Sequence, residues 1–245
     1  MNDFERAISY LNDPFNWTRR GGILDLLGEH VRVSLAAVAI AMVVALPLGV
    51  LLGRARRGSG PVVVLSNVSR AIPTLALLTL FAVSPIGFGD EATALALAIF
   101  AVPPILTNTF VGFRGVDADL REAARAMGMS RGQVLRRVEA PLAAPLVLTG
   151  IRTATVQVVA TATLAALVGG GGLGRLINLG FGQHDYGVMI AGALLVAVLA
   201  MGTELLLVAV SWAVTPGPRR LPFRRVPRAA AASGTPELTA AGVPS

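Results

Sequence analysis

Long apolar runs alternate with short charged segments along this chain. The first clear run, residues 31–53, goes from Val31 to Gly53, and Arg54, Arg56 and Arg57 follow at once. An α-helix crosses a bilayer with roughly 20 predominantly apolar residues, so a run of this length predicts a span. A second run, 61–83, carries Ser66, Asn67, Ser69 and Arg70 in its first half and is divided by Pro73. The third, 92–113, contains Pro103-Pro104 and then Asn108-Thr109. The fourth, 142–167, has Arg152 near its start and Thr153, Thr155, Gln157, Thr161 and Thr163 along it. The fifth, 188–214, holds Glu204. Membrane helices tolerate such prolines where neighbours satisfy the freed carbonyls. The pattern predicts an all-α, polytopic membrane protein with about five transmembrane helices.

The remaining segments divide the chain. Residues 1–30 are polar with scattered apolar positions, including Trp17, and read as an amphipathic lead-in or a frayed terminus. They contain no apolar core of a cleavable signal peptide. Residues 84–91 form a turn, and 114–141 form a charged insertion between the third and fourth runs. From 215 to 245 the chain is rich in Pro, Arg, Ala and Gly, a composition that predicts a disordered tail. The transmembrane domain is therefore 31–214.

Composition sharpens this picture. With 54% hydrophobic and 14% charged residues, an ordinary soluble domain is excluded. The chain has no cysteine, so disulfides and Cys-based metal sites are excluded. The net charge of +7 raises nucleic acid as a partner, but the arrangement of the charge explains it otherwise. Segments 54–60, 114–141 and 215–245 hold fourteen of the twenty-one Arg, and five spans put these three segments on one side. The positive-inside rule places that side in the cytoplasm. The N-terminus and 169–187 are then outside, and no nucleic acid is needed.

The charged insertion is organised. Asp117 or Asp119 can cap a helix start, and Asp119 with Glu122 has capping-box spacing. Leu120, Ala123, Ala124 and Met127 share one face at helical spacing. Gly128 is suited to ending that helix. Ser130 and Gln133 make a second capping box, and Leu135 and Val138 continue an apolar face up to Pro141. The expectation is a hairpin of two short helices over 117–141, with Gly128 as the joint. Two consecutive start signals disfavour a merely solvated loop, and an exposed apolar helix face suits docking in a groove of another protein.

Glu122-Ala123-Ala124, then Gly128, then Val138 and Pro141 resemble the Glu-Ala-Ala…Gly…Ile-x-Leu-Pro signature of permease subunits of bacterial ABC importers. Val138 and Ala140 replace the usual Ile and Leu. The resemblance implies a type I importer permease in the bacterial inner membrane. Its coupling-helix hairpin, Glu122, Ala123, Ala124, Gly128, Val138 and Pro141, would dock on an ABC ATPase subunit. It also implies a second permease copy or paralogue, an extracytoplasmic substrate-binding protein, and ATP-Mg held by the ATPase and not by this chain. Over roughly 30–205, runs such as Ile72-Pro73-Thr74-Leu75, Pro104–Thr109, Gly150–Val156 and Thr161–Ala166 are similar to permeases of osmoprotectant importers. These carry glycine betaine, choline, carnitine or related compounds. Thr107 departs from the basic residue that many of these have. Methionine importers are the alternative within the class, and a non-transport membrane scaffold is the alternative outside it.

Enzyme chemistry finds little support. His30 and His184 lie in different segments and no His-x-x-x-His spacing occurs. The glycine cluster at 169–174 is not followed by Gly-Lys-Ser/Thr, so it is not a nucleotide-phosphate loop. Aromatic cages recognise quaternary ammonium ions, yet no aromatic cluster falls within a span. Selectivity is then expected in the binding protein. Candidate pathway residues are the small polar groups Ser34, Ser66, Asn67, Asn108, Thr153, Gln157 and Thr161, though interhelical packing is the commoner role for each such group. Glu204 reads either as a pathway residue or as a polar contact between helices.

Overall fold

A computed structural model describes residues 2–55, 64 and 71–214. Ser66, Asn67 and Arg70, with the rest of 61–63 and 65–70 of the predicted second span, and the predicted tail lie outside these residues. All the described secondary structure is helical.

The N-terminal segment forms two helices, α1 (Asp3–Asn12) and α2 (Pro14–Thr18). Asn2 and Glu5 make a capping box on α1. The Asp13 carboxylate accepts from the Phe15 N–H, with Pro14 at the first helical position, where a missing N–H costs nothing. Trp17 donates its indole N–H to the Leu11 carbonyl at 2.7 Å. The pair packs by Tyr10, Leu11 and Trp17 against Ile23, Leu26, Leu173 and Leu176. Up to residue 22 the structure therefore has the packed amphipathic reading; residues 23–30, expected in the lead-in, instead open the first span, because Gly22 caps a helix that begins at Ile23.

Helix α3 (Ile23–Arg54) is the first span and is continuous through Pro47. After it come α4 (Thr74–Ala82), α5 (Asp90–Arg114) and the hairpin helices α6 (Ala118–Ala126) and α7 (Arg131–Val134). A π turn (Leu135–Glu139) leads directly into α8 (Ala140–Thr161), which tightens to a 3-10 segment (Ala162–Val168). The short α9 (Gly174–Gln183) and the long α10 (Tyr186–Val214) complete the described chain. Among the described residues, four stretches are long and apolar enough to cross a membrane: Ile23–Arg54, Asp90–Arg114, Arg131–Val168 and Tyr186–Ala213.

The predicted 61–83 span is represented here by α4 alone, entered through Pro73. Arg32 pairs with Asp90 at one end of the bundle, and Arg114 donates to the Ala55 carbonyl at the other. Helices α3 and α5 are thus parallel neighbours. The connection between Ala55 and Asp90 therefore starts and finishes at opposite ends of the bundle, and α4 is the helix described within it.

The core joins α3, α5, α8 and the 3-10 turn through small side chains: Ala37, Ala41, Ala45, Ala101, Ala154 and Ala165 are all buried. In lipid, apolar residues gain little by leaving one apolar medium for another, so close backbone approach becomes the main source of helix–helix attraction. Gly49 and Gly53 of α3 face Thr109 and Phe113 of α5. A Cβ on Gly49 would stand 2.6 Å from the Thr109 Cβ. Gly150 of α8 similarly lets Asn108 of α5 in, where a Cβ would lie 2.7 Å from its Cβ.

The end away from Arg54 is closed by the glycine loop before α9. Gly169 and Gly172 have positive φ. Glu29 accepts the Gly172 N–H at 2.9 Å, and the buried His30 bridges Leu173 and Val159. Since His30 Nδ1 accepts from the Leu173 N–H, Nε2 carries the proton it gives to the Val159 carbonyl. The cluster at 169–174 is thus a close-packed joint between the first span and α9.

Candidate coupling hairpin and intramembrane polar sites

The hairpin begins where α5 ends at Arg114. Asp117 is the residue that caps α6, accepting from the Asp119 N–H at 3.0 Å. The Asp119–Glu122 capping box, possible by spacing, is absent, and the Glu122 side chain stands exposed. At the other end Gly128 has φ +83°, its N–H bonds the Arg125 carbonyl, and the Met129 N–H bonds the Ala124 carbonyl. This pair of bonds is a Schellman motif, which satisfies carbonyls that the helix end leaves open. Nothing lies within 4 Å of where a Gly128 Cβ would be. The glycine therefore serves backbone conformation and not close approach.

Ser130 and Gln133 form the predicted capping box, with the Ser130 N–H on Gln133 Oε1 at 2.8 Å. The second hairpin helix differs from the expectation in one respect: it is not separate from the next span. The stretch from Arg131 runs on through the π turn. Pro141, at the start of α8, has no N–H to donate. The ladder is already open at that point and admits the wider turn. Val138 is half-buried within it.

On α6, Leu120, Ala123 and Met127 are exposed along one face, while Ala124 is buried against the protein. The apolar face predicted for this helix is thus split, three positions outward and one inward. The root of the hairpin is held by charge. Glu139, 1% exposed, lies between Arg54 of α3 at 2.7 Å and Arg121 of α6 at 3.1 Å. Neither Nε–H points along the line to the carboxylate, since both Arg121 Nε and Glu139 Oε2 lack a hydrogen bond of proper angle. The attraction is therefore mainly coulombic, in a site with little water to screen it. Arg121 also donates to the Phe113 carbonyl at the end of α5.

Sequence reasoning passed over this triad. Its members are far apart in the chain, and charges in a polar insertion ordinarily read as solvated. One signal was present: Glu139 lies four residues after Leu135, so a helix carries it onto the apolar side.

The candidate pathway residues separate. Thr153 is exposed and Gln157 half-buried, one turn apart on α8. Thr161 turns back to donate to the Gln157 carbonyl at 2.7 Å. Asn108 donates to the Pro104 carbonyl at 2.8 Å and packs on Gly150. Gly150, Thr153, Gln157 and Thr161 follow one another at three- and four-residue intervals, which puts them along one side of α8. Glu204 of α10 meets Arg152 of α8, Nε to Oε1 at 3.4 Å. The reading of Glu204 as a polar contact between helices thus has a partner.

Comparison with known proteins adds an independent line. The family model described as "Binding-protein-dependent transport system inner membrane component" matches residues 45–215. The choline transport system permease protein OpuBB of Bacillus subtilis is 39% identical over 84% of this chain and 95% of its own length. The osmoprotectant import permease protein OsmW of Salmonella typhimurium is 34% identical over 80% of this chain and 93% of its own. Among solved structures, a chain of the MetNI methionine ABC transporter in inward-facing conformations superposes with a TM-score of 0.70. It is 25% identical and covers 83% of this chain and 99% of that one. A membrane bundle of this topology, matched over most of its length to importer permeases, belongs to the family of binding-protein-dependent transport system inner membrane components.

Proposed function

We propose that this chain is the permease subunit of an ABC importer for a quaternary ammonium osmoprotectant such as glycine betaine, choline or carnitine. It carries no nucleotide site of its own; a separate ATPase binds ATP-Mg and a binding protein delivers cargo. Two permeases, identical or paralogous, enclose the pathway. The arginine-rich end faces the cytoplasm and the N-terminus faces outward. Small polar residues, Asn108, Thr153, Gln157 and Thr161 among them, line the route. Ser66 and Asn67 are proposed on the same ground of composition.

The observation that carries the ATPase contact is the combination on α6. A capped helix presents Leu120, Ala123, Met127 and Glu122 outward, while the Arg121–Glu139–Arg54 triad ties its inner side to two spans. A rigid helix with an unpartnered apolar face fits a groove, and the ionic root gives its displacement a direct mechanical route into α3 and α8. The names of the relatives favour an osmoprotectant over methionine. The test is uptake of labelled glycine betaine, choline and methionine by cells lacking their own osmoprotectant importers. These cells express the permease together with candidate ABC ATPase and binding-protein subunits from its own source. ATPase co-purification with tagged permease is measured in parallel. Methionine uptake without glycine betaine or choline uptake would transfer the assignment to the methionine class. Absence of all uptake and of any co-purifying ATPase would refute the importer reading.

A further inference from the structure

Arg152 and Glu204 form an ion pair far from both ends of the bundle. Arg152 is twelve residues into α8 from Ala140, about 18 Å of helix at 1.5 Å per residue. Glu204 is ten residues from Val214, the α10 end on the same side, about 15 Å. Against a hydrocarbon core about 30 Å thick, the pair sits near mid-depth. Charge at this depth is costly and marks a site where it is put to use.

The pair is also incompletely satisfied. Nε stands 3.4 Å from Oε1, and the side chains remain 35% and 39% exposed. Among the described residues neither side chain makes a hydrogen bond. The guanidinium fork, suited to gripping a carboxylate by two parallel bonds, is not used that way. Glu139 behaves oppositely, being buried between two cations. Arg152 is followed by the exposed Thr153, so it borders the flank of α8 that carries the candidate pathway residues. The neighbouring groove between α3, α8 and α10, about 590 Å³, is walled by apolar side chains with Ser34, Thr155 and Thr203 among them.

We propose that Arg152 and Glu204 are the permease's own contact with cargo, and that the pair opens to hold the two ends of a zwitterion. The cargo carboxylate takes the Arg152 fork and the methylated ammonium lies against Glu204. Two protein–cargo ion pairs replace one protein–protein pair, so total charge at mid-depth stays balanced throughout. This rests on the osmoprotectant reading above.

Glycine betaine and choline separate the two roles, because both carry the quaternary ammonium and only glycine betaine carries a carboxylate. Uptake of each is measured in cells expressing the complete importer, with permease dimer and ATPase recovery quantified from the membranes. Arg152→Gln is expected to lower glycine betaine uptake about tenfold or more, the worth of a charge-assisted bond, and to leave choline within about twofold. Glu204→Gln is expected to lower both. The double variant Arg152→Gln/Glu204→Gln leaves no unpaired charge and serves if either single variant is missing from the membrane; both uptakes should fall about tenfold. Equal losses of the two cargoes in Arg152→Gln, wild-type uptake in the double variant, or loss of the permease dimer would overturn the proposal, the last assigning the pair to the subunit seam. Failure of the wild-type importer to move either cargo would instead strike the osmoprotectant reading itself.

Discussion

Replacing Glu139 by glutamine keeps the shape of the side chain and removes its charge. Arg54 and Arg121, with side chains 29% and 19% exposed, then face each other across a buried amide. Breaking a buried ionic contact by removing one partner costs about 3–5 kcal/mol. Both guanidinia reach some water, so the lower end, about 3 kcal/mol, applies. Arg121→Met is predicted to be milder. The triad holds two positive charges against one negative, so losing Arg121 leaves Glu139 paired with Arg54 at 2.7 Å and the cluster neutral. That variant forfeits one partial attraction and the bond to the Phe113 carbonyl, about 1–2 kcal/mol together. The assay is thermal inactivation of the detergent-purified permease–ATPase complex, read as the fraction surviving gel filtration after heating, beside uptake in cells. Glu139→Gln should lose survival at a clearly lower temperature than Arg121→Met. A wild-type profile for Glu139→Gln, or a more severe one for Arg121→Met, would show that the buried carboxylate does not organise this junction.

Three further outcomes are expected. Gly128→Val should impair uptake and ATPase co-purification strongly and Gly128→Asn far less, because a left-handed backbone costs most L-residues about 1–2 kcal/mol and asparagine tolerates it best; equal behaviour of the two would dismiss the backbone account. Gly150→Leu should sharply lower the amount of folded permease in membranes, since even a Cβ there meets Asn108 at 2.7 Å and Pro104 O at 2.9 Å; normal expression would mean that α5 and α8 do not pack as described. A cysteine placed at Ser130 in this cysteine-free chain should resist impermeant thiol reagents in intact cells and react in inverted vesicles; the reverse would invert the topology.

Two signals that the chain displays locally survive into the structure. Ser130 with Gln133, and Gly128 at its helix end, are short-range devices whose partners lie within a few residues, so reading them needs no tertiary knowledge. The choice of Asp117 over Asp119 as cap depends on where α5 stops, which hydropathy leaves open by several residues. The continuity of α7 with α8 was hidden for a related reason. Ser130 and Pro141 both announce helix starts, and only the π turn between them reconciles two starts in one rod. What pattern could not supply was pairing across the bundle. Arg54 with Glu139, Glu29 with Gly172, and Arg152 with Glu204 each join segments whose spacing in the chain carries no trace of their contact. The N-terminal helices belong here too, for their burial depends on Leu173 and Leu176, more than 150 residues away.

The glycine seam between α3 and α5 has a consequence in time. Gly49 and Gly53 are synthesised about 60 residues before the end of the helix that covers them. At about 5–20 residues per second, the first span waits some 3–12 s for its partner. During that interval the small-residue groove is open to lipid or to whatever the insertion machinery offers. A bulkier residue there would first reveal itself during biogenesis, as nascent chains handed to proteolysis, while the molecules that did mature could still transport at an ordinary rate.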